Sequence, residues 1–153
     1  MVPIFEMKII YSYLTFNGNC REAMAFYKKC LGGELDFLTI GESPLSETMP
    51  LKMKKCILQA VLRNGELVLI GTDMVGEKGI LKGNAVSLAL TCSSEEELRE
   101  CYTKLSQGGK ETYPLKKTAS NILFGGITDK YGNTWILNYN KENKIKNKKS
   151  WQH

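Results

Sequence analysis

The order of strand-forming and helix-forming segments repeats along this chain, and that repeat restricts its fold more than any other feature. KIIYSYLTF, from Lys8 to Phe16, is rich in β-branched and aromatic residues and stops at the turn cluster Asn17-Gly18-Asn19. Asn19 stands at an N-cap position, and Ala23, Phe26, Tyr27, Cys30 and Leu31 then recur at helical spacing until Gly32-Gly33. ELDFLTIG follows, then a loop with Pro44 and Pro50, then the runs CILQAVLR and ELVLIGTD. Asn64-Gly65 between the last two predicts a hairpin, since both residues tolerate positive φ.

After the Gly-rich linker VGEKGILKGN the order begins again. AVSLALTC reads as a strand, Ser93 and Ser94 offer a cap, and EEELRECYTKLSQ reads as a helix ended by Gly108-Gly109. KETYPLKK, NILFGGITD and NTWILNYN are three further candidate strands. An offset of 75 residues places Ser12 on Ser87, Tyr27 on Tyr102 and Gly33 on Gly108, and the hairpin glycines Gly65 and Gly132 match at 67. Two βαβββ units each have one sheet face covered by one helix, and burying the other face requires the two halves, or two chains, to come together into a curved sheet around a groove. The expected fold is therefore α+β: two paired βαβββ modules, about 8–75 and 84–140, form a curved mixed sheet around that groove with helices on the outer face. Residues 1–140 form the domain and 141–153 a flexible basic tail.

Charge narrows the partners. The net charge of +5 is matched by the tail lysines Lys141, Lys144, Lys146, Lys148 and Lys149, so the body is close to neutral and lacks the basis for an extended phosphate-binding face. No nucleic-acid partner is expected. No run approaches the ~20 apolar residues of a membrane helix and the start has no signal-peptide pattern, so no membrane partner and a cytoplasmic location are expected. The 5 cysteines form no C-x-x-C pair and read as reduced core thiols.

YLTFNGNCREAMAFYKKCLGGEL (Tyr13 to Leu35) closely resembles the opening of PhnB-like proteins, a branch of the vicinal-oxygen-chelate superfamily of glyoxalases, bleomycin-resistance proteins and extradiol dioxygenases. GELVLIGTD, GNAVSLALTCSSEEEL and DKYGNTWILN extend the resemblance over nearly the whole chain before the tail. It implies the paired βαβββ fold, a homodimer and a cup-shaped site. PhnB-like chains are often called 3-demethylubiquinone methyltransferases. The Gly-rich loop with an acidic partner that a common methyl-donor site needs is not seen in this sequence.

In metal-using relatives, histidines and glutamates on the first and fourth strands of each half hold a divalent ion. The resemblance places Ser12 and Ser87 at the first-strand positions, and Leu69 and Ile136 at the fourth-strand positions. None of these is a ligand, and Gln59 takes the place of a third-strand histidine. The single histidine, His153, ends the tail. Period-2 alternation in AVSLALT independently puts Ser87, Ala89 and Thr91 on a small, mildly polar face and Val86, Leu88 and Leu90 on a face suited to a helix.

The expected ligand groove thus comprises Ser12, Gln59, Leu69, Ser87 and Ile136, with no metal and no cofactor. The function expected is a metal-free binder that sequesters or senses a small organic ligand. One alternative is a metal-dependent glyoxalase- or dioxygenase-type enzyme using other carboxylates, such as Glu66, Asp73 or Asp129. Another is a protein-interaction module with its groove filled by its own side chains. Gln59 could equally be an exposed strand residue, Ser12 and Ser87 ordinary small packing residues, and Tyr11, Tyr13 and Trp135 core or dimer contacts. Glu95, Glu96 and Glu97 are consecutive on a helix and cannot converge on one ion.

Overall fold

The computed structural model describes residues 7–142, in the order β1 (Ser12–Thr15), α1 (Cys20–Leu31), β2 (Glu34–Thr39), β3 (Ile57–Asn64), β4 (Leu67–Thr72), β5 (Leu88–Thr91), α2 (Glu95–Leu105), β6 (Lys110–Lys117), β7 (Leu123–Thr128) and β8 (Thr134–Tyr139). Two short 3₁₀ turns, Pro44–Glu47 and Leu51–Met53, occupy the proline-bearing loop. The fold is α+β, with two βαβββ modules, and the chain divides into two compact units between Ile80 and Leu81, except that Lys29–Leu31 at the end of α1 group with the second. Each unit has one mixed four-stranded sheet, in the orders β1-β4-β3-β2 and β5-β8-β7-β6. The tail beyond residue 142, with His153, lies outside the described residues. No helix among the described residues is long and apolar enough to cross a membrane.

In the first unit the core lies between α1 and one sheet face. Met24, Tyr27, Ala60 and Leu62 are fully buried. Gly71 lets the helix approach closely: a β-carbon there would lie 2.9 Å from Sδ of Met24 and 3.0 Å from Sγ of Cys20. Asn19 stands at the N-cap as expected, yet its side chain makes no capping bond. The backbone N–H of Cys20 instead donates to Oδ1 of Asp73 at 2.9 Å, while Oδ2 accepts from the N–H of Ile57 at 2.9 Å. One carboxylate therefore ties the helix start to the end of β4 and the start of β3.

The β3–β4 hairpin is displaced by one residue from the expected turn. Asn64 pairs with Leu67 inside the ladder, so the loop residues are Gly65 and Glu66, and only Gly65 has positive φ (61°). A glycine at the first loop position is the pattern of a type II′ turn. The β7–β8 connection is built differently. Thr128 pairs with Thr134 across a five-residue loop, and Oδ1 of Asp129 accepts from the N–H groups of Tyr131 (2.9 Å) and Asn133 (3.0 Å). Oδ2 accepts from Nε1 of Trp135 at 2.8 Å.

In the second unit Leu98, Leu105, Ile127 and Leu137 are fully buried between α2 and its sheet. Ser94 caps α2 as its sequence predicts, its Oγ accepting from the N–H of Glu97 at 3.1 Å. Glu95 pairs with Arg99 and Lys117, Glu97 accepts from Ser93, and Glu100 pairs with Lys104, so the acidic run does diverge. Two expected strands are shorter than predicted. Lys8–Tyr11 precede β1, with Ile10 at 97% exposure, and Val86 precedes β5 at 81% exposure rather than packing on a helix. Cys20, Cys30, Cys92 and Cys101 are buried free thiols, whereas Cys56 is half-buried.

Candidate functional site

Strand register decides which side chains reach the uncovered face of each sheet, because cross-strand partners share a face and successive residues alternate. In the first unit Leu14 and Ala60 both pair with Gly71, which points at α1. Ser12 and Leu62 both pair with Leu69, two residues away on the same side. Ser12 and Leu69 therefore belong to the helix-packed face, and Leu69 is 3% exposed. The expectation that they line a groove is corrected by one residue of phase. Tyr13, Ile70 and Val61 take the open face there, joined by Gln59, which is exposed and pairs with Leu38.

The second unit keeps the expected phase. Gly125 points at α2, where a β-carbon would lie 2.8 Å from Cε2 of Tyr102, and its partner Leu137 is buried. Gly126, Ala89 and Ile136 form one row on the opposite, open face. Lys110, Thr128 and Thr134 form the next row. Between these two rows and the approach to β5, where Asn84 and Ser87 stand, lies a bowl of about 510 Å³. Ser87 and Ile136 thus line one concavity, as the alternation predicts for Ser87.

Two features shape this face. An extra residue in β6 interrupts the register between Glu111 and Tyr113, and both Thr112 and Tyr113 line the bowl. Such a bulge re-aims side chains beside it. A β-carbon on Gly126 would lie 2.8 Å from Cδ2 of Tyr113, 2.9 Å from Oγ1 of Thr112 and 3.3 Å from Cδ1 of Ile136. Gly126 does not have positive φ, so the glycine answers to space and not to backbone conformation. Sequence reading missed Lys110, Thr112, Tyr113 and Gly126; the paired glycines Gly125-Gly126 in a strand were the available signal.

The lining offers one ammonium, hydroxyls and an amide, with no imidazole, carboxylate or thiol. This donor set does not fit the divalent ion of the metal-using superfamily members. Among the described residues no group of three or more His, Cys, Asp or Glu side chains is placed to hold an ion. Asp73 and Asp129, the carboxylates considered as substitute ligands, are engaged by backbone N–H groups, and Asp129 also by the Trp135 indole. The bowl can bind and orient a polar group. Its hydroxyls have no neighbouring base in the lining to activate them.

The architecture defines a class first. It matches a glyoxalase/bleomycin resistance protein/dioxygenase family enzyme from Burkholderia phytofirmans PsJN, at a TM-score of 0.57 over 84% of this chain and 96% of that one; at 12% identity the likeness is one of fold. Residues 8–138 match the family described as 3-demethylubiquinone-9 3-methyltransferase, and the chain belongs to that PhnB-like family. Protein PA1353 from Pseudomonas aeruginosa is 34% identical, with a TM-score of 0.74 over 87% of this chain and 98% of that one. The Bacillus cereus PhnB protein is 30% identical, with a TM-score of 0.67 over 87% of this chain and 100% of that one.

Proposed function

We propose that this chain is a small-molecule binder that sequesters or senses an organic ligand through its own side chains, without a metal. The observation that carries the reading is the bowl on the open face of the second unit. At about 510 Å³ it falls within the ~300–1,000 Å³ of typical ligand pockets, and its Lys110, Thr112, Thr128 and Thr134 side chains sit on strands. Ser87 and Ile136, at positions where metal-using relatives carry ligands, present a hydroxyl and an aliphatic side chain instead. Gln59, exposed on the open face of the first unit, is a second candidate contact.

The reading includes a cytoplasmic homodimer. Ile10 and Val86, at 97% and 81% exposure, flank the edge strands β1 and β5, and exposed apolar residues beside sheet edges suit burial against a second copy. Sedimentation at micromolar concentration checks this, and a monomer there contradicts it.

Thermal unfolding of the metal-stripped protein tests the main reading, since a ligand that binds only the folded state raises stability. Organic compounds from a small-molecule library are expected to raise Tm by several degrees, whereas nickel, zinc, manganese and iron(II) do not. A saturable shift with an ion, retained in His153→Ala, would instead favour the metal-dependent enzyme.

A further inference from the structure

We infer that the bowl takes a small organic carboxylate, with its anionic oxygens at the Lys110 end and its apolar body between Tyr113 and Ile136. The inference rests on the reading of this bowl as a ligand site and names the chemistry it selects.

The bowl is divided along its length. Lys110, Thr128 and Thr134 form one cross-strand row, an ammonium beside two hydroxyls. The next row is apolar: Ile136 on one side and the Tyr113 ring on the other, packed over the buried Gly126. A ligand that uses both rows has a polar head and a flat or slender apolar body, which lies against the Tyr113 ring and the Ile136 side chain.

The sign of the head follows from the charges around it. Lys110 makes no ion pair among the described residues. The two acids nearest in the row are both turned away. Glu111 pairs in register with the fully buried Ile127, on the helix side, and acts on the Tyr102 hydroxyl there. Asp129 spends both carboxylate oxygens on Tyr131, Asn133 and Trp135. No carboxylate lines the bowl to repel an anion, while a cationic head would meet the ammonium. Hydrogen bonds from a charged donor to a carboxylate are about twice as strong as neutral ones. A single ammonium in the lining suits one anionic group better than a polyphosphate.

The test is a titration of the ¹⁵N-labelled full chain, followed by its amide spectrum. The probes are matched acid and amide pairs: benzoate with benzamide, phenylacetate with phenylacetamide, butyrate with butyramide. At least one acid is expected to shift the amides of Lys110, Gly126 and Thr128 saturably, and its amide to bind about tenfold more weakly, equivalent to ~1.4 kcal/mol. Lys110 is exposed, so Lys110→Met should fold, and it is expected to bring acid and amide to equal affinity. Equal affinities in the unmodified protein, or full acid binding by Lys110→Met, would overturn the carboxylate assignment while leaving the ligand site. Absence of any shift on this face with all six probes would overturn the site and the assignment together.

Discussion

The two units share one element order but spend their glycines differently. In the first, Gly71 points at α1 and brings helix and sheet together, and the open face carries Tyr13, Val61 and Ile70. In the second, adjacent glycines serve both faces: Gly125 admits the Tyr102 ring on the helix side, and Gly126 admits Tyr113 and Thr112 on the open side. The units also differ in how β-hairpin geometry is held, by a two-residue glycine turn in one and by the buried Asp129 carboxylate in the other. A repeated fold can thus keep its core and give the open face of one copy a different shape, through one glycine and the irregular register of β6.

The largest effect that would sharpen this contrast is on the Asp129 loop. Asp129→Ala removes the acceptor for two backbone N–H groups and a buried indole N–H, and should cost about 3 kcal/mol. Asp73→Ala, which strips two partly buried backbone donors in the first unit, should cost about 2 kcal/mol. Urea unfolding of both variants measures the difference; equal and small losses would mean that these loops are held by other contacts.

The paired glycines offer a finer cut. Gly125→Ala forces a methyl against the Tyr102 ring and the Leu115 backbone, an overpacking cost of about 1–3 kcal/mol. Gly126→Ala meets Tyr113, which at 57% exposure can swing aside, so stability should fall by less than about 1 kcal/mol. Ligand-induced Tm shifts should nevertheless shrink in Gly126→Ala. The reverse pattern, with Gly126→Ala the less stable and still responsive to ligand, would break the assignment of the two faces.

The smallest effect is on pH dependence. Burial, with Asp73 nearby, pushes the Cys20 thiol in the first unit up to about 12 from an ordinary 9.0. A folded-state value above the unfolded one means that the associated stability is complete below pH 9 and is lost as pH rises toward 12. In the second unit, burial and the Glu111 carboxylate raise the Tyr102 hydroxyl in the same sense. Unfolding curves between pH 9 and 11 should show declining stability, less steep in Cys20→Ala; an unchanged slope would remove Cys20 from this account.

Most of the fold was legible in the sequence because apolar periodicity and turn residues agree along both halves. The sites were legible only in part, and the reason is parity. The fourth-strand positions Leu69 and Ile136 each stand four residues after a hairpin glycine, Gly65 and Gly132, but one glycine begins a two-residue turn and the other lies inside a five-residue loop. A strand shifted by one residue exchanges its faces, so the same count reached the helix side in one unit and the open side in the other. Alternation within AVSLALT carries its own phase, and Ser87 stands beside Ile136 in the lining of the bowl. The distant cap from Asp73 and the bulge at Thr112 arise from tertiary contacts that local patterns do not encode.

The most direct test of the central claim, that the open face of the second unit is the ligand site, is a co-crystal structure with the most strongly stabilising compound. The account predicts density between Lys110, Tyr113 and Ile136. Density confined to the first unit, against Gln59 and Tyr13, would contradict it.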